Sequence, residues 1–171
     1  MFAFIDGNWM NDLCIKMALH VYLGYRKDTC FIDTPFFSYT KPEHALLHDA
    51  LATSFQGVSR FLVLPICFDN FHWCMILVDQ RVGCRTMYQF DPLHLQCYYD
   101  RLDQSWRSYL KADLRSEYDP YKQERIIDLH QTDDYNCGIF ILLFAMKHIK
   151  QISILATINA NLNSLRLTLF M

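Results

Sequence analysis

Three apolar, β-rich runs follow one another in the middle of this chain: Arg60 to Cys67, His72 to Asp79 and Arg85 to Phe90. Their length and residue types predict strands, with turn chemistry at Asp69-Asn70 and from Gln80 to Gly83. Such close spacing leaves no room for a crossover, so the three are expected to be antiparallel neighbours. Helical spacing dominates elsewhere. Asn11 or Asp12 caps a predicted helix running through Leu13, Met17, Leu19, Val21 and Tyr22 to about Gly24. Pro42 sits in the first turn of a second, running to about Phe55. Leu95 to about Leu114 is amphipathic, and Cys137 to Gln151 is apolar almost throughout. Phe31-Ile32-Asp33 is short and extended, Arg125 to Leu129 reads as a fourth strand, and Ile152 to Met171 is weakly helical. Helices, then strands, then a helix predict an α+β class with the Cys137 helix packed on the sheet.

Composition narrows the partners rather than the fold. At 171 residues, 52% hydrophobic and 15% aromatic, one domain spanning residues 1–171 with a sizeable core is expected, and disorder is excluded. The formal net charge is only -2, and Lys111, Arg115, Lys122 and Arg125 are spread among acids, so no nucleic-acid surface is expected. The longest apolar run, Ile139 to Met146, is soon broken by Lys147 and His148, which is too short for a membrane span. The N-terminus lacks the basic start and long apolar stretch of a secretory signal. Seven cysteines, an odd number without close pairs, argue against a zinc site and for free thiols in a reducing intracellular compartment. No metal, cofactor or oligomeric partner is called for, and a nuclear or cytoplasmic monomer is the expectation.

The segment Gln131-Thr132-Asp133-Asp134-Tyr135-Asn136-Cys137-Gly138 carries the candidate chemistry. A polar turn delivers Cys137 to the first residue of the apolar helix, where the positive end of the helix dipole favours thiolate. Gln131, six residues upstream, offers an amide donor for an oxyanion. A thiol nucleophile needs an imidazole and a group to orient it. Among seven histidines, His20, His44, His48 and His148 fall on helix faces, and His130 adjoins the cysteine segment. His72 opens a strand directly after a turn, a rigid and exposed placement at the sheet edge. If the strands 73–79 and 85–90 pair as a hairpin, Asp91 becomes its cross-strand neighbour. Each residue also has an inert explanation. Cys137 could be one more buried thiol, Asp91 a turn residue before Pro92, Gln131 a turn closure, and Trp9 and Trp73 core aromatics.

Taken in order, Trp9-Met10-Asn11-Asp12, Leu64-Pro65, His72-Trp73, Asp91, Gln131 and Cys137-Gly138 resemble the Ulp1/SENP family of cysteine proteases, which process and remove SUMO-like modifiers. The resemblance spans Trp9 to about Lys150. It implies a papain-like cysteine protease fold, with a central mixed sheet packed against the helix of the nucleophile. It further implies Cys137 as nucleophile, His72 as general base and then acid, Asp91 as its orienting carboxylate and Gln131 in the oxyanion hole. Trp9 and Trp73 match the family's tunnel for a Gly-Gly tail, where flat walls exclude any residue bearing a Cβ. Asp12, also a candidate helix cap, would hold the tail backbone. The implied activity is cleavage after the C-terminal Gly-Gly of SUMO, NEDD8, ubiquitin or a related protein. Asp133 stands where asparagine is frequent in that family, Asn136 where aspartate usually precedes the cysteine, and Met10 replaces leucine. Only eight residues precede Trp9, which reads as a catalytic domain that is minimal or shortened on that side. Two rival readings remain at this point: a YopJ-type acetyltransferase built on a related Cys-His-acid set, and an inactive module that only binds a modifier.

Overall fold

β3, His72–Asp79, is the central strand around which the molecule is assembled. The computed structural model describes residues 9–32, 59–110 and 121–151. The helix predicted from Lys41 to Phe55 and the tail from Ile152 lie outside the described residues. A five-stranded mixed sheet has the order β1 (Thr29–Phe31), β2 (Phe61–Phe68), β3, β4 (Thr86–Phe90), β5 (Lys122–Arg125). β2, β3 and β4 are antiparallel as expected, from Phe61 opposite Asp79 to Phe68 opposite His72 and from Met75 opposite Phe90 to Asp79 opposite Thr86. The flanking β1 and β5 each run parallel to their neighbour.

The unbroken apolar runs of β2 and β3 have a simple cause: both faces of the sheet are covered. On one side, Trp73, Met75 and Leu77 join a core with α1 (Asp12–Leu23) and α3 (Cys137–Lys150). On the other, Cys74, Ile76 and Val78 meet Tyr99 and Leu102 of α2 (Gln96–Ser105) and Trp106 beyond it. Burying each large apolar side chain contributes roughly 1.5–3 kcal/mol, so a strand buried on both faces gains about twice what an amphipathic one does. The helix α3 is buried continuously from Cys137 to Ala145, and Lys147 and Lys150 in its last turn complement the dipole.

Two predicted boundaries move. The amphipathic stretch from Leu95 stays α-helical only to Ser105, and a π-helical turn, Trp106–Leu110, follows and buries Trp106 edge-on to Tyr121. The fourth predicted strand, Arg125 to Leu129, is instead Lys122–Arg125, a mostly exposed edge strand with polar residues throughout. Ile126 and Leu129 drew the expectation onward because they are apolar. They are buried in the core from a loop, with the Tyr99 hydroxyl donating to the Ile126 carbonyl at 2.9 Å. Among the described residues, no helix is long and apolar enough to cross a membrane.

Candidate active site

The β2–β3 connection is a tight turn in which Asp69 and Asn70 both take positive φ, 57° and 63°. Asp and Asn tolerate that region best among residues with a side chain. Arg101 of α2 grips the Asp69 carboxylate at 2.5 and 3.0 Å while its guanidinium lies over the Phe68 ring at 4.1 Å. The turn therefore presents Phe71 and His72 from a fixed base.

His72 is not exposed at the sheet edge, as its strand-end placement predicted, but buried, with 4% of its surface accessible. Tyr98 covers it, ring centroids 4.3 Å apart. Its Nε2 lies 2.6 Å from Asp91 Oδ1. The hairpin register puts Cys74 directly opposite the Asp91 position and His72 one step further along the same face, so the pair is diagonal rather than opposed. Asp91 is wholly buried, and its charge is met three times over. Oδ1 also accepts from the Leu93 amide at 3.1 Å, and Oδ2 accepts from the Leu95 amide at 2.7 Å. Leu95 is the N-cap residue of α2, so the anion sits at the positive end of a helix. Burial alone pulls the His72 imidazole down, but hydrogen bonds and charge from Asp91 and Cys137 outweigh it and push it up to about 9.

With Nε2 committed to Asp91, the other ring nitrogen is the one left to bond the Cys137 sulfur. Cys137 is the first residue of α3 and is buried; its thiol also donates to the Phe71 carbonyl at 3.8 Å. Gly138, the next residue, lets Met10 pack against the head of α3, because a Cβ there would sit 2.9 Å from Met10 Cβ and 3.0 Å from its sulfur. Met10 is held from the other side by the Trp73 indole, whose N–H donates to the Met10 carbonyl at 2.7 Å. The neighbouring thiols are kept protonated. Burial, with the charges of Asp12, Cys137 and Asp69 added, pushes Cys67 up to about 12, and burial pushes Cys74 well above its ordinary value.

Gln131 is buried and tied to the Asp91 loop through its backbone N–H, which donates to the Pro92 carbonyl at 2.9 Å. His94 closes the same junction, its Nε2 2.8 Å from the Leu129 carbonyl. The imidazole of His130 pairs with that of His94, ring centroids 4.8 Å apart. Asp12 lies in the first turn of α1, where the cap is supplied by Asn11 accepting from the Cys14 amide at 3.0 Å.

The two tryptophans are placed differently. Trp9 is 43% exposed and meets Phe71, itself 46% exposed, edge-on at 5.5 Å. Trp73 is in the core at 2% exposure, pinned behind Met10, rather than along an open wall. Phe71 and Tyr98 escaped the sequence reading, although adjacency to His72 was a signal for the first. His72, Cys74 and Asp91 bring possible metal ligands within 4.8 Å of one another. Hydrogen bonds account for that convergence, since the Cys74 thiol itself points at Asp91 Oδ1 at 3.8 Å and a zinc site would need it as thiolate.

Comparison with known proteins extends the picture. The profile of the Ulp1 protease family, C-terminal catalytic domain, matches residues 58–169. No curated protein matches the chain. Among solved structures, it is similar to the C-terminal Ulp1 protease domain in complex with Smt3, the yeast ortholog of SUMO, at a TM-score of 0.73 and 13% identity over 88% of this chain and 70% of that one. It is similar to the effector XopD of Xanthomonas campestris bound to ubiquitin, at 0.58 and 18% over 84% and 76%. A third likeness is to the Ulp1-like SUMO protease catalytic domain of Chaetomium thermophilum, at 0.52 and 16% over 82% and 61%. At these identities the likeness establishes the fold, α+β and papain-like.

Proposed function

The chain belongs to the Ulp1 protease family, and from that premise we propose that it is a thiol peptidase cleaving after the C-terminal Gly-Gly of a ubiquitin-like protein, in its precursor or in a conjugate. The observation that carries this reading is the buried relay from Asp91 through His72 to a cysteine heading its helix. In this scheme Cys137 Sγ attacks the scissile carbonyl as thiolate. The Gln131 amide and the Cys137 backbone N–H meet the oxyanion, and His72 passes its proton to the leaving amine. The resulting thioester is then hydrolysed by a water that His72 deprotonates. No cofactor enters.

Specificity is assigned to the cleft mouth. Trp9 and Phe71 form the exposed aromatic pair next to the thiol, with the Phe71 carbonyl against Cys137 itself. Flat walls so close to the nucleophile admit a chain without side chains and reject others. Trp73 supports this mouth from beneath through Met10, and Asp12 contributes an acceptor for the tail backbone.

The test is to incubate the protein with SUMO, NEDD8 and ubiquitin carrying C-terminal vinyl or propargyl warheads and to map any adduct by mass spectrometry. An adduct on Cys137 with at least one of them is expected. No adduct with any, together with acetyl transfer from acetyl-CoA, would replace this reading by acyl transfer. The pH profile gives a second check. A histidine raised to about 9 holds its proton below that pH and loses it above. The upper limb of kcat/KM is therefore expected near pH 9, and a limb near 6.5, the ordinary histidine value, would contradict the relay.

A further inference from the structure

Asp133 gathers hydrogen bonds from three residues of its own loop, Gln131, Tyr135 and Asn136. Its Oδ1 takes the backbone N–H groups of Tyr135 at 3.0 Å and Asn136 at 2.8 Å, and its Oδ2 takes Asn136 Nδ2 at 2.7 Å. The Gln131 amide completes the set, Nε2 lying 2.5 Å from the Asp133 carbonyl and 3.2 Å from Oδ1. One consequence is unusual. With its nitrogen turned to Asp133, Gln131 leaves Oε1 buried and without a partner. A buried orphan acceptor is a cost that proteins ordinarily avoid. Reversing the amide would be worse, because Oε1 would then face both the carbonyl and the carboxylate of Asp133. The residue therefore dictates which way the amide faces.

We propose that Asp133 is a positioning residue that fixes the Gln131 amide with its N–H side presented to the reacting carbonyl, and that Asn136 holds the Asp133 carboxylate in place for this task. The proposal rests on the peptidase reading above. In the free enzyme the main-chain carbonyl of Asp133 anchors the amide through the short bond. Its carboxylate is the resting acceptor of the longer one, which the developing oxyanion displaces. The sequence departure now has a physical meaning. Where the family pattern has asparagine here and aspartate before the cysteine, this chain carries the acid and the amide the other way round, and the two side chains are bonded to one another at 2.7 Å. The anion is thereby moved from the residue adjoining Cys137 to one that orients Gln131.

The experiment is a double-mutant cycle read in kcat and KM. Asp133→Ala should lower kcat at least tenfold with KM within twofold, yet cost less than twofold in a Gln131→Ala background, since it acts through that amide. Additive losses would overturn the proposal and leave Asp133 a loop anchor only. The reciprocal exchange Asp133→Asn with Asn136→Asp guards against simple misfolding. Asn136→Asp sets two carboxylates against one another and should lower kcat at least tenfold, whereas adding Asp133→Asn to it restores an acid–amide pair and should return kcat to within threefold of wild type. A double variant no better than its worse single would also overturn it. Nitrogen-15 NMR of the Gln131 side-chain amide gives a readout independent of turnover: its resonances should move on Asp133→Asn. Their staying in place would sink the inference even in an active enzyme. Wild-type protein inert toward every modifier would sink the peptidase reading instead, while the NMR shift would still decide this one.

Discussion

Asp91→Asn is expected to lower kcat by about 10⁴-fold while leaving the protein folded, a loss of the size that an orienting carboxylate carries in other nucleophile–imidazole–acid sites. The reason lies in what surrounds the carboxylate. Oδ1 serves both His72 and the Leu93 amide, and Oδ2 serves the Leu95 amide. Every neighbour is a donor. An asparagine can satisfy one side only: oxygen toward His72 leaves its NH₂ against the Leu95 N–H, and oxygen toward Leu95 leaves NH₂ against both His72 and Leu93. The substitution weakens the Asp91 hydrogen bond, the strongest influence holding the imidazole up against burial, and removes the Asp91 charge as well, so the imidazole falls from about 9. The upper limb of the pH profile should move to lower pH together with the loss in kcat, and KM should hardly change. A variant within threefold of wild-type kcat would show that the buried pair is structural and that the imidazole needs no anion behind it.

The same carboxylate shows how far the sequence can be read. His72 and Asp91 were brought together correctly because two closely spaced apolar runs can hardly do anything but form a hairpin, and the ends of a hairpin meet. Register was beyond reach: it made the pair diagonal and gave Cys74 the place opposite Asp91. Burial of His72 was likewise invisible, since it depends on Tyr98 arriving from α2 on the far side of the sheet. The polar edge strand Lys122–Arg125 has no hydrophobic alternation to betray it; it is held by backbone pairing to β4 and by Arg125 reaching Gln96, Asp103 and the Tyr99 ring of α2. The segment around Cys137 was legible in residue type and order, but its internal contacts were not. Asp133 and Asn136 looked like two independent departures, and only their 2.7 Å contact makes them one exchange.

The parts of the site thus come from separate layers joined at few points. The imidazole and its acid belong to the sheet and the α2 side, while the thiol heads α3 on the other side. The Pro92–Gln131 and His94–Leu129 bonds tie the acid loop to the oxyanion loop. On the opposite flank, Met10 is the only described residue that is at once against Gly138 and bonded to Trp73. A substitution at that flank should therefore disturb stability and substrate binding together, whereas one at the acid loop should disturb chemistry alone.

Trp73→Ala is accordingly expected to destabilise the fold by about 3–5 kcal/mol, as removal of a buried aromatic does, and to lower Tm by roughly 10 °C or more. The indole fills the core beside Met75 and Cys67, and its N–H is the donor recorded for the Met10 carbonyl. Its removal opens a cavity and orphans that carbonyl, so Trp9 loses its footing and KM rises as well. Trp73→Phe separates the two effects. The ring is largely restored and the bond is not, leaving a loss of about 1 kcal/mol from the missing hydrogen bond and most of the rise in KM. Trp9→Ala supplies the contrast. Being 43% exposed, it should leave Tm within about 2 °C, in line with the small effects of surface changes, while raising KM at least fivefold. Differential scanning fluorimetry and steady-state kinetics on the same preparations decide the matter. If Trp73→Ala kept the wild-type Tm and raised only KM, the indole would be an open wall of the cleft and not the pillar behind it.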